Sequence, residues 1–587
     1  MPLLDGMRTN AKNSRTAAAE TTEKRFLTIN RDRLRRVEIN LTPRQRDFLD
    51  ILPVLFHINH PLLPGYISKT TPFGICDYMP SSSTLRTARR ICRSFEYDRR
   101  SAPKLPIRGL YMMGSPGTIA YSRASDLDMW LCHDPDLEPQ ATEQLKEKSL
   151  KIEEFAEDIG LEVHFFVFDA ESLRRGETLS LSTESSGSSQ HYLLLDEFYR
   201  SSLLVAGLKP LWWRVPSSRD ADYDDFVQDA FERRLIDSRD YIDFGGLSSI
   251  PAEEFFGAAV WHLYKSIQSP YKSVLKLLLM EAYAAEYPNI TLLSHHYKNN
   301  IESTDVDINA VDPYILMYKK VEDYLLAKND PIRLDVLRRS FYLKTNLKIG
   351  ERATAGADDW RVEVLTAMTD AWAWPPSKIA RLDQSDRWRI DAAIEERRDL
   401  INTLKDSYAA LSKFARNHST DLKITEHDLH VLGRKLYAAF EKKPAKIEVL
   451  TRGFCSNPQE PSLSLHQISL GNGKLAWMLY TGLVKPEDIN QHRPMKRTGS
   501  AADILVWCHM NRLIGPHTLW HLFTHESALS PPEIKRIIDA LESSFANDQT
   551  DATPHELSAR SRLTNAIILA NIGVIPFSGS RFAGGVL

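Results

Sequence analysis

The sequence predicts an α+β protein with a small mixed-sheet core, a largely α-helical region after it and a short α/β segment towards the C-terminal end. Strand-like apolar runs cluster early in the chain, at 108–113, 126–132 and 161–168. An amphipathic helix over 138–159 separates the last two runs, an order that is typical of a small α/β layer. Beyond about residue 190 the apolar residues recur at helical spacing instead, over 192–206, 252–267, 270–287, 312–327, 331–345 and 387–417.

The length of the chain predicts several domains, because 587 residues exceed what one hydrophobic core supports. A stretch rich in Pro and Gly at 444–461 marks one boundary, and short strands are expected near it at 446–450 and 463–470. The predicted segments are a disordered tail over 1–24, an N-terminal helical segment over 25–100 that packs on the core, the α/β core over 101–210, a helical domain over 211–445 that completes the active site, and a truncated or divergent regulatory segment over 446–587.

The composition excludes several classes of protein. A net charge of −3 gives no basic surface for nucleic acid, so no nucleic-acid partner is expected. The five cysteines are scattered and form no C-x-x-C pair, which fits a reducing cytoplasmic location without disulfides or structural zinc. The first two dozen residues lack the apolar core of a signal peptide, and no run reaches the roughly 20 apolar residues of a transmembrane segment.

The most informative stretch of the chain joins the end of one strand to a pair of acids on the next. Gly114 and Ser115 end the first strand run, and Asp126 and Asp128 follow on the second. Because side chains alternate along a strand, two acids at this spacing project to the same side. Such carboxylates repel each other unless a cation lies between them, and Mg²⁺ (or Mn²⁺) with nucleotide phosphates is the expected occupant. A glycine and a serine at a turn can cradle those phosphates.

A third carboxylate is expected on the following strand run. Glu162 opens that run and would face the same side of the sheet, while Asp169 at its far end is the alternative. Three acids could hold two metal ions that assist phosphoryl chemistry. Trp130 lies two residues beyond Asp128 on the same face, and from the residues alone it could equally wall the pocket or belong to the core.

Further candidates for phosphate binding flank this motif. Ser125, directly before the first acid, is grouped with Gly114 and Ser115. Lys265 and Lys272 lie on adjoining predicted helices and offer two ammonium groups close to one loop, although solvated helix faces explain them as well.

A Gly-Ser at a strand end followed by D-x-D resembles the signature of the DNA polymerase β-like nucleotidyltransferases. Longer segments resemble one family more closely, the class I (enterobacterial-type) adenylate cyclases. They are Asn59-His-Pro-Leu-Leu-Pro-Gly-Tyr66, Ser125-Asp-Leu-Asp-Met-Trp130, Gln190-His-Tyr-Leu-Leu-Leu-Asp-Glu-Phe-Tyr-Arg200 and Trp261-His-Leu-Tyr-Lys-Ser-Ile-Gln-Ser-Pro-Tyr-Lys272. The resemblance covers roughly residues 25 to 450 and thins after about 460.

This resemblance implies conversion of ATP to 3′,5′-cyclic AMP and pyrophosphate, with Asp126 and Asp128 as catalytic acids and Trp130 associated with them. Lys265 and Lys272 match lysines of the family's pattern, and their contact with the triphosphate is a hypothesis. The resemblance also implies a regulator from the sugar phosphotransferase system, which acts on a C-terminal half that is short here.

Two other functions stay open on the sequence. Another nucleotidyltransferase would share every catalytic residue but pass AMP to an external acceptor. A catalytically dead regulatory scaffold could keep the same fold, although the intact Gly114, Ser115, Asp126 and Asp128 argue against it.

Overall fold

The computed structural model describes residues 2–97, 105–123, 125–176, 190–303, 306–352, 359–418, 446–449, 458–470 and 475–545, with 559, 563 and 565–574. Side chains are described from residue 21 onward, apart from 351 and 352. The end of the predicted helical domain, 419–445, and the chain end from 575 lie outside the described residues.

The chain begins with a long helix that leads into a short helical hairpin. Helix α1 covers Pro2–Asn40, so it starts within the range predicted as a disordered tail. Helix α2 (Pro43–His57) starts where Thr42 and Pro43 predict it. The Thr42 side chain accepts the N–H of Gln45, and the Gln45 side chain accepts the N–H of Thr42, which forms a capping box. Helix α3 (Ser82–Ile91) packs on α2.

A four-stranded sheet follows and confirms the predicted mixed-sheet core. Its strands are β1 (Ile107–Met113), β2 (Leu127–His133), β3 (Val163–Asp169) and β4 (Leu203–Gly207). The spatial order is β3-β2-β1-β4, in which β2 and β3 run parallel and the other two pairs are antiparallel. Helix α4 (Pro139–Glu157) joins β2 to β3, and α5 (Ala170–Arg174) and α6 (His191–Ser201) follow β3.

The two faces of this sheet belong to different hydrophobic cores. Leu127 and Met129 of β2 pack with α2 and α4 on one face. Tyr111 of β1 and Trp130 of β2 point the other way, into the large core of the helical region. The acids that precede and follow Leu127 therefore face the helical region.

The helical region encloses this second face of the sheet. Three of its helices, α8, α9 and α16, pack on one another, and α11 and α12 pack on α9. The helices are α7 (Tyr223–Glu232), α8 (Ala252–Lys265), α9 (Pro270–Glu286), α10 (Leu293–Glu302), α11 (Pro313–Ala327), α12 (Pro331–Thr345), α13 (Ile349–Arg352), α14 (Trp360–Ala371), α15 (Pro376–Asp383) and α16 (Ile390–His418). A two-stranded pair, β5 (Lys209–Pro210) and β6 (Tyr241–Ile242), links the sheet to these helices.

A second sheet forms the C-terminal α/β segment. It contains β7 (Ser462–Ser469), β8 (Leu475–Thr481), β9 (Lys496–Thr498) and β10 (Leu519–Phe523), in the order β10-β7-β8-β9. Helices α17 (Ala501–Met510) and α18 (Pro531–Ser544) cover it through a core that also includes Ile390 of α16. The predicted α+β class is confirmed.

Two predicted elements are wrong. The helix expected over 192–206 ends at Ser201, and the residues after it form β4, because the apolar run from Leu203 completes the hydrogen bonding of β1. The strand expected over 446–450 is irregular backbone at 446–449, and residue 450 lies outside the description. No helix in the part of the chain that the structure describes is both long enough and apolar enough to cross a bilayer.

Candidate active site

The paired acids lie where the sheet faces the helical region. Asp128 sits in β2, opposite Met113 of β1 and His164 of β3, and Asp126 immediately precedes the strand. Alternation along β2 places both carboxylates on the same face, as predicted. The strand pairing thus brings His164 beside Asp128, a neighbour that sequence spacing could not identify.

Burial and like charge perturb the second acid. Burial raises the pKa of Asp128 to about 6, and the negative charge of Asp126 acts in the same direction. The positive charges of Lys272, His164 and Lys276 oppose this rise without cancelling it. A carboxylate in this state is stabilised by an additional cation, because the cation offsets both the lost solvation and the repulsion from its neighbour.

Two lysines one turn apart on α9 face these acids. Lys276 donates to both carboxylate oxygens of Glu197 on α6, each at 2.8 Å. Burial alone would raise the pKa of Glu197. The positive charges of Lys276 and Arg200 close to the carboxylate outweigh burial and lower this pKa to about 2. Burial lowers the pKa of Lys272, but Tyr314, Asp126 and the other nearby acids more than reverse this, so the ammonium stays charged.

The pKa of Lys276 moves the other way, because burial and the nearby Lys272 outweigh the attraction of Glu197. The depressed pKa of Glu197 keeps its carboxylate charged, and the two hydrogen bonds of 2.8 Å from Lys276 have the length of an ion pair.

Two further side chains, the His262 imidazole and the Lys344 ammonium group, lie near Lys272. Burial, with Lys276 adding to it, lowers the pKa of His262 on α8 to about 3, so this imidazole is neutral and can donate and accept. Lys344, near the end of α12, donates to the carbonyl of Ala120 at 3.1 Å. Burial and the charge of Lys272 lower the pKa of Lys344 to about 8.

The loop between β1 and β2 carries the predicted phosphate-binding residues. Gly114 has φ +93° and Gly117 has φ +68°, conformations that favour glycine. The Gly114 N–H donates to the Ser201 hydroxyl at 3.3 Å, and the buried Ser115 accepts two hydrogen bonds from Thr118 through its carbonyl. The loop is therefore a fixed turn beside the acids.

Long-range contacts hold this loop in place from both sides. Arg33 of α1 donates to the carbonyls of Pro116 and Ser201, at 3.2 and 2.8 Å. Asp312, which caps α11, accepts the N–H of Ile119 at 2.8 Å. The loop thus joins the first helix of the chain to the helical region.

The remaining predicted residues lie in different settings. Trp130 is 1% exposed and stacks on Phe198 of α6, with ring centroids 4.5 Å apart. It therefore belongs to the core directly beneath the acids. Ser125 contacts Ser122 in a local turn. Lys265, at the end of α8, lies over the ring of Trp261. Lys272 lies close enough to Asp126 and Asp128 for their negative charges to raise its pKa.

Glu162 lies in register with the acid pair, and its side chain is largely exposed. Its carbonyl accepts the N–H of Leu127, which aligns it with Asp126 across the parallel strands. Its side chain is 70% exposed and bonds to His164 at 3.1 Å. The alternative, Asp169, lies at the other end of β3 and caps α5 by accepting from Ser172. Within the described residues, no group of three or more His, Cys, Asp or Glu side chains is placed to hold a metal ion.

Five residues of the site were not predicted as site residues from the sequence, namely His164, Glu197, His262, Lys276 and Lys344. The available signal was Lys276, a second lysine one turn after Lys272 that interrupts the apolar run 274–280. Such a lysine requires a buried partner, yet the partner, Glu197, lies 79 residues away in sequence. The other residues carry no local signal, because packing of separate helices brings them together.

Comparison with known proteins gives three consecutive family matches. The N-terminal domain of adenylate cyclase matches residues 18–213, the second domain of class-I adenylate cyclase matches 250–451, and the third domain matches 458–549. The chain therefore belongs to the class-I adenylate cyclase family. The match to the third domain continues the resemblance beyond about residue 460, where it was expected to thin.

Curated relatives agree with this assignment. Adenylate cyclase of Salmonella typhimurium is 36% identical over 571 residues, which are 96% of this chain and 66% of the relative. The Escherichia coli K12 adenylate cyclase is 35% identical over 570 residues, with the same coverage. That of Proteus mirabilis is 33% identical over 565 residues, 95% of this chain and 65% of the relative. The chain thus spans about two thirds of the length of these relatives, and no solved structure matches it.

Proposed function

We propose that this chain is an adenylate cyclase that converts ATP to 3′,5′-cyclic AMP and pyrophosphate. The observation that carries the proposal is the pair Asp126 and Asp128 facing Lys272 and Lys276 across the site. Acids on one side and ammonium groups on the other match the two needs of phosphoryl chemistry, metal coordination and neutralisation of phosphate charge. The relatives named adenylate cyclase support the same reaction.

The residues present fit a Mg²⁺ or Mn²⁺ site. Mg²⁺ binds through one or two protein carboxylates together with substrate phosphates, so Asp126 and Asp128 suffice as protein ligands. The raised pKa of Asp128 supports this, because the acid pair lacks enough positive charge of its own. When bound, the metal would make the ribose 3′-hydroxyl more acidic and stabilise charge on the departing pyrophosphate. A second metal ion with Glu162 as a further ligand is part of the proposal.

The protein's own groups would orient the nucleotide. Lys272 and Lys276 would bind the triphosphate, Lys272 close to the acids and both near the positively charged N-terminal end of α9. The turn that contains Gly114 and Ser115 would hold the β- and γ-phosphates through the N–H and hydroxyl of Ser115, since the Gly114 N–H donates to Ser201. The helical region would exclude water, so that the ribose 3′-hydroxyl of the same ATP is the nucleophile that reaches the α-phosphorus.

Three broader statements belong to this proposal. We propose that the four-stranded sheet and its D-x-D motif form a DNA polymerase β-like nucleotidyltransferase core. We place the reaction in the cytoplasm, in keeping with the cysteine content of the chain. We propose a component of the sugar phosphotransferase system as the regulator. We propose that it acts through the segment that matches the third domain, 458–549.

The deciding experiment is incubation of the purified chain with ATP and Mg²⁺ or Mn²⁺, followed by chromatography for cyclic AMP. We expect product without any added acceptor. The variant Asp128→Asn should lose roughly a thousandfold in rate, since metal ions supply several kcal/mol of stabilisation and each 1.36 kcal/mol is tenfold. The matched control is Asp136→Asn, an exposed acid just beyond the same strand.

Both variants must keep the melting temperature of the parent protein. An Asp128→Asn variant within tenfold of the parent rate would refute the assignment of the acids. Release of AMP onto an added acceptor, with no cyclic AMP from ATP alone, would favour the nucleotidyltransferase alternative.

A further inference from the structure

A cavity of about 720 Å³ lies outside the candidate active site, between α1 and the segment from Trp213 to Ile236. None of the residues that line it belongs to the acid and lysine cluster. Its volume falls within the range of small-molecule sites.

Guanidinium groups dominate the polar wall of this cavity. Arg25, Arg214, Arg219 and Arg233 line it, against the two acids Asp229 and Glu302. Both acids are already engaged: Asp229 pairs with Arg233, and Glu302 accepts the N–H of Ser217 at 2.9 Å. Arg25 donates to the carbonyls of Ile301 and Glu302, and Arg219 lies 3.9 Å from Asp222, so the excess of N–H donors that the structure shows is confined to Arg214.

Arg214 shows this excess directly. Its side chain is only 8% exposed, and its Nε makes no hydrogen bond. One terminal nitrogen of the same group lies 3.6 Å from Glu23, a distance too long for a hydrogen bond. The Nε itself is enclosed by protein, so this unused donor makes burial of the guanidinium costly, and the negative charge of an oxyanion beside the group would offset that cost.

The rest of the wall is apolar and partly aromatic. Trp213 stacks on Phe26 with ring centroids 5.0 Å apart, so its indole is held rigidly at the cavity. Phe226 lies under the guanidinium of Arg219, 5.7 Å from carbon to ring centroid. Leu235 and Ile236 close the same wall. Such a surface favours a flat ring over a small inorganic anion.

We propose that this cavity binds a small molecule that consists of an aromatic ring and one oxyanion, a carboxylate or a phosphate. The oxyanion accepts from Arg214 and Arg219, where planar N–H pairs suit carboxylate and phosphate oxygens alike. The ring packs against Trp213 and Phe226.

The position of the cavity gives such a ligand a route to the active site. The cavity-lining Arg25 and the loop-holding Arg33 are eight residues apart on α1, about 12 Å along a continuous helix. Beside Trp213, the neighbouring Trp212 stacks on Tyr199 of α6 at 4.4 Å, in the helix that carries Glu197. A bound ligand would thus contact α1 directly and α6 through the Trp212–Trp213 pair.

The test is a binding titration of the full chain with 8-anilinonaphthalene-1-sulfonate, an aromatic ring with one oxyanion, read by energy transfer from tryptophan. We expect saturable binding with one dye per chain. The variants Arg219→Gln and Arg214→Met should each weaken binding about tenfold, the usual effect of losing one charge-assisted hydrogen bond. The matched control is Arg239→Gln, an arginine with an 86% exposed side chain outside the cavity.

Competition then identifies the oxyanion. Displacement by AMP but not by 1-naphthoate assigns a phosphate ligand, the reverse assigns a carboxylate ligand, and displacement by both supports the shared chemistry. Displacement by neither overturns the proposal, as does equal dye affinity in the parent, Arg219→Gln and Arg214→Met proteins when all three keep the parent melting temperature. The Asp128→Asn variant should bind the dye with the affinity of the parent protein. Failure of the cavity proposal can therefore be distinguished from failure of the proposed catalytic function.

Discussion

Replacing Gly117 with alanine tests whether the loop beside the acids is held as tightly as the structure indicates. Gly117 has φ +68°, and an added Cβ would lie 2.6 Å from the carbonyl oxygen of Arg33. That oxygen belongs to the backbone of α1 and cannot rotate away like a side-chain tip. It would have to move by roughly 0.8 Å to restore the 3.4 Å of an ordinary contact, in a region packed at interior density.

The expected cost has two parts. An alanine in the left-handed region costs about 1–2 kcal/mol, and overpacking against the helix adds about 1–3 kcal/mol. Gly160 separates these parts because it has nearly the same φ, +69°, with no atom within 4 Å of an added Cβ. We expect Gly160→Ala to show only the first cost, so the two variants should differ by about 1–3 kcal/mol.

Urea unfolding of both variants measures the difference, and cyclic AMP formation measures its effect on the site. Gly117→Ala should lower kcat/KM for ATP, because the displaced turn also contains Gly114 and Ser115, whereas Gly160→Ala should not. Equal unfolding free energies for the two variants, within about 0.5 kcal/mol, would refute the close approach between the loop and α1.

Two other predictions concern the charges of the site. Lys272→Met should raise KM for ATP about tenfold or more, because it removes an ammonium group from the phosphate site. Lys265→Met is the control, and both variants are measured by steady-state kinetics. An equal rise in KM for the two variants would contradict the placement of Lys272. Glu197 has a depressed folded-state pKa of about 2 against 4.5 for the free group, so its contribution to stability is present above pH 4.5 and lost as the pH falls towards 2. From pH 5 to pH 3 the difference in unfolding free energy between the parent and Glu197→Gln should shrink by about 2 kcal/mol. Urea unfolding at each pH measures this difference. A difference that does not change with pH would argue against the ion pair.

The parts of the site that could be predicted from sequence are those encoded by neighbouring residues. Asp126 and Asp128 share a face because of strand alternation, which needs no knowledge of the rest of the fold. Lys276 and Glu197 form their ion pair only after α6 and α9 pack, so no local pattern identifies the pair. Lys344 reaches Ala120 across 224 residues for the same reason.

Two predicted residues show how tertiary structure decides between alternatives. Trp130 lies on the same face as the acids, but Phe198 covers its ring, and that contact depends on α6. Glu162 has the predicted register, yet it directly precedes β3 and its side chain is 70% exposed and bonds to His164. The helix predicted over 192–206 failed because β1 needed a further strand partner, which local propensity does not reveal.

The contacts of the first helix have a consequence for synthesis of the chain. Arg25 donates to the carbonyls of Ile301 and Glu302, and Arg36 donates to Asn309, so α1 finds some of its partners more than 270 residues later. At bacterial translation speeds of about 5–20 residues per second, roughly 14–55 seconds separate the emergence of α1 from that of α10. During this interval the part of α1 that packs on α10 lacks its native cover on the ribosome, and nascent chains of this protein should depend on chaperones that shield it.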